Sequence, residues 1–172
     1  MPKQKGGVAS RAAAKWHSLL RWMYASGRPN RMARFLNRIS AFQFSTGLLA
    51  PGNWVTLEVR GRRSGRPVTL PVVVTDHDGE RYLVSMLGPN ANWVRNVRAA
   101  GGQAVLRHRG RERVRLQVVP VAQRAPILRR YLHLAPGARP HISVEREAPL
   151  AEFERMAARF PVFRITPDPT GR

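Results

Sequence analysis

The chain has 172 residues, 43% of them hydrophobic, which suits one globular domain or one domain with an extension and argues against a disordered chain. It contains no cysteine, so disulfides, thiolate nucleophiles, zinc–cysteine sites and iron–sulfur clusters are excluded. Thirty Lys and Arg against ten Asp and Glu leave a net charge of +20, which calls for an anionic partner: nucleic acid, anionic lipid or a polyanionic small molecule.

The bases are unevenly placed. No acidic residue precedes Glu58, while nine Lys and Arg do. Residues 1–9 lack periodicity. Trp16, Leu19, Leu20 and Met23 then recur at helical spacing, and after a break at 27–30 Met32, Phe35, Leu36 and Ile39 form a second apolar face opposite Arg31, Arg34 and Arg38. These segments predict a basic amphipathic helical extension over 1–50. Its apolar faces either pack on the core or lie, through residues 10–44, on an anionic membrane surface. No run approaches the about 18 apolar residues of a membrane span, and none near Met1 reads as a signal peptide, so a cytoplasmic protein is expected, with membrane association left open.

From Trp54 the period changes to two, and a second domain is placed at 51–172. Strands are predicted over 54–60 and 68–75, joined by Gly61-Arg62-Arg63-Ser64-Gly65-Arg66-Pro67. A third, over 81–86, follows the hairpin signal Asp76-His77-Asp78-Gly79. After Gly88-Pro89-Asn90-Ala91, Asn92 is the expected N-cap of a helix over 93–100, ended by Gly101-Gly102. Strands over 103–108 and 113–119, helices over 120–135 and 150–160, and a last strand over 161–166 complete the chain. Hairpin-joined strands with interspersed helices predict an α+β fold whose mainly antiparallel sheet of five or six strands curls into a barrel.

Two stretches carry chemistry. The turn at 61–66 combines two glycines with three guanidiniums and a hydroxyl, which makes it either an anion seat or a basic hairpin that needs glycine. Residues 85–96 end a strand in Gly88 and open a helix, placing backbone N–H groups at a helix N-terminus. Trp93 and Asn96 there either hold a flat heterocycle or fill the core. The five histidines, His17, His77, His108, His133 and His141, show no close ligand pair, so no metal site is expected.

Taken together, the order strand–GRxSGxP–strand–hairpin–strand–SxxG–NWxxN–strand–strand, closing on Pro161-Val162-Phe163-Arg164-Ile165, resembles the deazaflavin-dependent nitroreductase and quinone reductase family of actinobacteria. The resemblance covers about 54–166. It implies a split β-barrel that binds coenzyme F420, whose phosphate and glutamates account for the need for cationic groups. Carried onto this sequence, Arg62, Arg63, Ser64 and Gly65 would hold the phosphate and lactyl end. Pro71 would shape the strand beside the ring, Met86, Leu87 and Gly88 would offer N–H groups to the deazaflavin, and Trp93 and Asn96 would close the wall. The chain departs from many members at Val68, Met86 and Leu87, where basic residues or serine are common. It also has no tyrosine in 134–141, where nitroreductases line the substrate side.

The expected activity is therefore hydride transfer from F420H2 to a quinone-like, nitro or other conjugated acceptor, the cofactor carrying the hard chemistry. His141 or Tyr131 would protonate the product. Alternatives are a non-enzymatic carrier of the coenzyme or of a lipid-like ligand, an FMN-dependent reductase on the same barrel, and a nucleic-acid-binding protein. The last lacks any helix-turn-helix, RNP or finger signature. A homodimer is expected by analogy of fold alone.

Overall fold

The computed structural model describes residues 52–108 and 110–169, and the expected helical extension over 1–50 lies outside them. Six strands form one closed antiparallel barrel: β1 Trp54–Arg60, β2 Pro67–His77, β3 Glu80–Val84, β4 Gln103–His108, β5 Gly110–Val118 and β6 Val162–Pro167. Around the barrel their order is β1-β2-β3-β6-β5-β4. Among the described residues three α-helices are interspersed: α1 Asn92–Ala99, α2 Arg124–Leu134 and α3 Leu150–Met156. This is the α+β barrel the sequence predicts.

Alternation along the strands builds the core, because successive side chains point to opposite faces. Leu57 and Val59 of β1 pair across the sheet with Leu70 and Val68 of β2, and Leu57 also faces Leu106 of β4. Leu83 and Phe163 pair with each other and are fully buried, as are Val114 and Leu116 of β5. A second apolar layer lies outside the sheet. Val73, Val84 and Val162 pack there with Leu128, Tyr131 and Leu132 of α2 and Phe153 and Met156 of α3.

The strand contacts orient the barrel. The 61–66 turn, the end of β3, the start of β6 and α1 gather at one end; the 77–80 and 108–110 hairpins lie at the other. β2 is paired with β1 along 67–73 but with β3 only along 74–77. Its edge over 67–72 is therefore open on the β3 side, and the barrel is split there at the end that carries the turn. Pro71 sits in this stretch, half-buried and paired with Thr56 of β1. A proline cannot donate to a ladder, so an open edge is where a strand accepts one.

Several boundaries differ from expectation for physical reasons. The helix predicted over 120–135 begins as a 3-10 turn, Val121–Gln123, and becomes α-helical at Arg124. That start places Pro126 in the first α-helical turn, where its missing N–H costs nothing. The helix predicted over 150–160 ends its α-form at Met156 and finishes as a 3-10 turn, Ala157–Arg159. There the Arg124 side chain, 7% exposed, takes the end of the helix in hand. Its Nε donates to Val119 O (2.9 Å) and its Nη1 to Ala157 O (3.2 Å) and Phe160 O (3.5 Å). Desolvation, with a smaller contribution from Arg98, lowers the pKa of this guanidinium from its ordinary value.

Candidate functional site

Glycine builds the turn at the open end. Gly61 N–H donates to Arg66 O (2.8 Å) and Gly65 N–H to Gly61 O (2.8 Å), while Ser64 Oγ accepts from Arg66 N–H (3.3 Å). Gly65 has φ +66°, and a Cβ on Gly61 would stand 3.0 Å from both Arg66 O and Ser64 Oγ. Both positions therefore need glycine. Residues 62–66 are exposed, so the turn presents three guanidiniums and a hydroxyl to solvent.

α1 meets this turn directly. Arg62 Nη1 donates to Asn92 Oδ1 (2.7 Å) and to Asn96 Oδ1 (2.9 Å), and Arg62 N–H donates to the same Asn96 oxygen (3.3 Å). Asn92 and Asn96 are one helical turn apart, so both carboxamides face the turn. Asn96 is 2% exposed and belongs to the joint between turn and helix, not to a wall of open surface. The expected N-cap role of Asn92 is corrected: Ala91 holds the cap position, with no side-chain cap, and Asn92 is the first helical residue. A proline-flanked loop brings the chain into extended geometry at Ala91, and Arg62 captures the Asn92 side chain instead.

Trp93 takes the core-filling place that the sequence left open beside ligand contact. Its indole is 5% exposed and packs on Phe163 inside the barrel, with centroids 5.4 Å apart and planes tilted 55°. It plugs the barrel end and offers little face to a ligand. The Met86-Leu87-Gly88 segment lies between β3 and α1. β3 ends at Val84, two residues before the predicted boundary: Ser85 N–H donates to Pro161 O (2.9 Å), but Pro161 has no N–H to return, and Ser85 Oγ turns instead to Gly88 O (2.8 Å). Gly88 returns a bond to Ser85 O (3.1 Å) with φ +78°. The N–H groups of Met86 and Leu87 have no acceptor among the described residues.

The uncapped start of α1 carries no acidic residue in its first turn, so the positive end of the helix dipole is uncompensated. Turn, loop and helix start thus converge on the split of the barrel, with Pro71 on the open strand edge. Arg62, Arg63, Ser64, Gly65, Pro71, Met86, Leu87 and Gly88 belong to this end. Arg130 of α2 binds Asp76 at the far end of β2 (3.0 Å), and its neighbour Tyr131 turns into the apolar layer outside the sheet, against which Met86 also packs. Tyr131 is 4% exposed in the apolar layer, and burial pushes its phenol pKa upward, so it keeps its proton and meets no solvent. His141 is half-buried beyond the 3-10 turn Pro136–Ala138, its N–H donating to Ala138 O (2.9 Å).

Sequence reasoning passed over Asn92 as the partner of Arg62 and Ser85 as the pin of the loop. The first had a readable signal, the i, i+4 spacing of two asparagines. The second depends on Pro161, 76 positions away, and had none. Among the described residues no cluster of three or more His, Asp or Glu is placed to hold a metal ion, and no helix is long and apolar enough to cross a membrane.

No curated protein matches the chain significantly. Among solved structures, the chain is similar to an F420-H2 dependent reductase, FDR-A, at 18% identity and a TM-score of 0.41, covering 66% of this chain and 94% of that one. It is also similar to a protein of unknown function from Agrobacterium tumefaciens, at 14% identity and a TM-score of 0.47 over 67% of this chain; it spans 48% of that protein's length. A heme binding protein from Mycobacterium smegmatis aligns at 16% identity and a TM-score of 0.46, covering 72% of this chain and 52% of that one. The family model that matches, over residues 32–148, is described as F420H(2)-dependent quinone reductase. On that match the chain belongs to the F420H(2)-dependent quinone reductase family, an oxidoreductase family whose cofactor is the coenzyme F420 that the sequence resemblance implied.

Proposed function

We propose that this protein is an F420H2-dependent reductase of a quinone-like or other conjugated organic acceptor. The coenzyme would be held at the split end of the barrel. The observation that carries this reading is the junction of the Arg62 turn with the start of α1 beside the open edge of β2.

The residues present fit such a ligand. Its phosphate and carboxylates need cations and N–H donors without competing acids, and this end offers Arg62, Arg63, Ser64 and an uncapped helix start with no acidic first turn. A planar ring with acceptor edges needs N–H groups that the protein has not already used, and those of Met86 and Leu87 meet that requirement. Pro71, on the unpaired edge of β2, gives the strand a surface without a donor beside them. The bound F420H2 supplies a hydride equivalent at C5 of its deazaflavin ring.

The chain's own part is position and electrostatics. Arg62, Arg63 and Ser64 would anchor the anionic end and so fix the depth of the ring in the split. The Met86 and Leu87 amides would fix its in-plane orientation and favour the electron-rich edge of the ring. Trp93 and Phe163 close the barrel behind the site and exclude water from that side. The proton that completes acceptor reduction would come from solvent. The Ser85 hydroxyl is already committed to Gly88 O, and the Tyr131 phenol is buried in the apolar layer.

A fluorescence-quench titration of oxidised F420 with the purified protein tests the reading, run beside FMN and followed by turnover of F420H2 with menadione. Saturable binding of F420 alone with acceptor-dependent oxidation is the expected result. Binding without turnover points to a coenzyme carrier. Preference for FMN, or affinity only for DNA with steep salt dependence, overturns the reading.

A further inference from the structure

We propose that Asn92 and Asn96 are positioning residues that set the orientation of the Arg62 guanidinium while leaving its charge uncompensated, so that one edge of it is offered to an oxyanion. The proposal rests on the functional reading above for the identity of the ligand, but not for the device itself.

The device is visible in the hydrogen count. A guanidinium has five N–H donors in a fixed fork. The two on Arg62 Nη1 are taken by Asn92 Oδ1 (2.7 Å) and Asn96 Oδ1 (2.9 Å). Three remain, one on Nε and two on Nη2, and the Nε–H with one Nη2–H forms the edge of parallel donors that binds two oxygens of one phosphate or carboxylate. Because the Asn96 oxygen also accepts the Arg62 backbone N–H (3.3 Å), side chain and turn are held by the same atom.

At this end of the molecule the arginine partners are amides alone, whereas Arg164 on β6 combines an amide, Gln117 Oε1 (3.2 Å), with the carboxylate of Glu80. Arg81, Arg107, Arg111, Arg130, Arg146, Arg155 and Arg164 each pair with an Asp or Glu. Arg62 and, three residues after Asn92, Arg95 are held instead by carboxamides; Arg95 Nη2 donates to Asn90 Oδ1 (2.9 Å). A carboxylate would give a stronger bond to Arg62 but would cancel the field that an anionic ligand feels. A neutral acceptor supplies direction and keeps the charge.

The test uses the full chain as wild type, Asn96→Asp, Asn92→Asp and Asn96→Ala. Each is titrated calorimetrically with inorganic pyrophosphate and with oxidised F420 at several salt concentrations, and its melting temperature is recorded. Both Asp variants should bind both ligands about tenfold or more weakly, with a shallower dependence of log affinity on log salt and an unchanged or raised melting temperature. Asn96→Ala should also weaken binding, but with the salt slope of wild type, because the charge stays and only its direction is lost. That split is one a merely structural asparagine would not produce. Asn92 is exposed, so its variant carries the test if the buried Asn96 variants fail to fold. Wild-type affinity in the Asp variants overturns the proposal, as does wild-type affinity in Asn96→Ala or failure of the wild type to bind either ligand. Binding of pyrophosphate but not F420, with the same loss in the variants, sustains the positioning role and overturns the functional reading instead.

Discussion

Trp93 and Phe163 meet inside the barrel with centroids 5.4 Å apart, joining the helix that follows β3 to the strand that closes the sheet. Trp93 is 5% exposed and Phe163 fully buried, so truncating the indole removes a plug and leaves a cavity that rigid strands cannot fill. Trp93→Ala should destabilise the fold by about 3–5 kcal/mol, whereas Trp93→Phe should cost less because a ring still reaches Phe163. Denaturant unfolding at neutral pH measures the difference. A loss of coenzyme binding without loss of stability would show that the indole is a ligand surface after all.

Arg62 and Arg63 are adjacent in the turn but differ in what they touch. Arg62 is bonded to α1, and Arg63 makes no side-chain hydrogen bond or ion pair among the described residues. Replacing either by Ala should weaken coenzyme binding by about 1.5–3 kcal/mol, the scale of a charge-assisted hydrogen bond. Only Arg62→Ala should also destabilise the protein, by about 1 kcal/mol, because it removes the side-chain bonds to Asn92 and to the buried Asn96 oxygen and leaves that oxygen only the longer bond from the residue 62 backbone N–H. Parallel titrations and thermal melts of the two variants check both claims.

Much of this was legible in the sequence, and the division follows how local each cause is. Alternating Leu57 and Val59, or Val114 and Leu116, declare a strand through their own spacing, and the glycines of the 61–66 turn declare its geometry. The 61–66 turn and the 85–96 stretch stood out by their residues before the family resemblance joined them, and these do lie at one end of the barrel. What stayed hidden depends on distant partners. The switch to 3-10 form after Met156 follows from carbonyls taken by Arg124, more than thirty positions earlier. The early end of β3 follows from Pro161. Tyr131 looked like a candidate because its residue type suits proton transfer, and only the packing of α2 on the sheet buries its phenol in the apolar layer.

Gly102 and Gly110 make a matched pair for testing backbone constraint. Gly102 has φ +85°, and a Cβ there would stand 2.7 Å from Leu116 O, which is backbone and cannot move aside. Its carbonyl also accepts from Leu116 N–H (2.8 Å), tying the end of α1 to β5. Gly102→Ala should cost about 2 kcal/mol or more, while Gly110→Ala, which meets nothing within 4 Å, should be near neutral. Equal melting temperatures for the two variants would refute the assigned strain.

Acid should loosen the end of the barrel opposite the site. Arg130 holds the Asp76 carboxyl below its ordinary pKa chiefly through a side-chain hydrogen bond, and Arg81 does the same for Glu112. A carboxyl depressed in the folded state stabilises above its unfolded pKa, and that contribution is lost as pH falls through the folded value. The melting temperature should therefore fall as the pH drops below about 4, and Glu112→Gln should flatten part of that fall. Both pairs are well exposed, so added salt should shrink the effect. Coenzyme binding measured at neutral pH should be indifferent to Glu112→Gln, since that pair is remote from the turn.

Arg124 gives the strongest structural prediction. Its guanidinium is buried without a carboxylate and is neutralised in effect by three carbonyls from two separate segments, Val119 on one side and Ala157 and Phe160 on the other. Arg124→Ala would strip partners from buried acceptors at the end of α3 and leave a cavity beside Phe160, at a cost of about 3–5 kcal/mol. Arg124→Lys keeps the charge but cannot span both segments with one planar group, so it should recover less than half of that loss. Hydrogen exchange locates the damage. Amides of α3 and of β6 near Val162 should lose protection first, since Val119 N–H donates to Val162 O (2.9 Å) beside the same clamp. Uniform loss of protection across the barrel would instead mean that Arg124 supports the whole fold and not this joint.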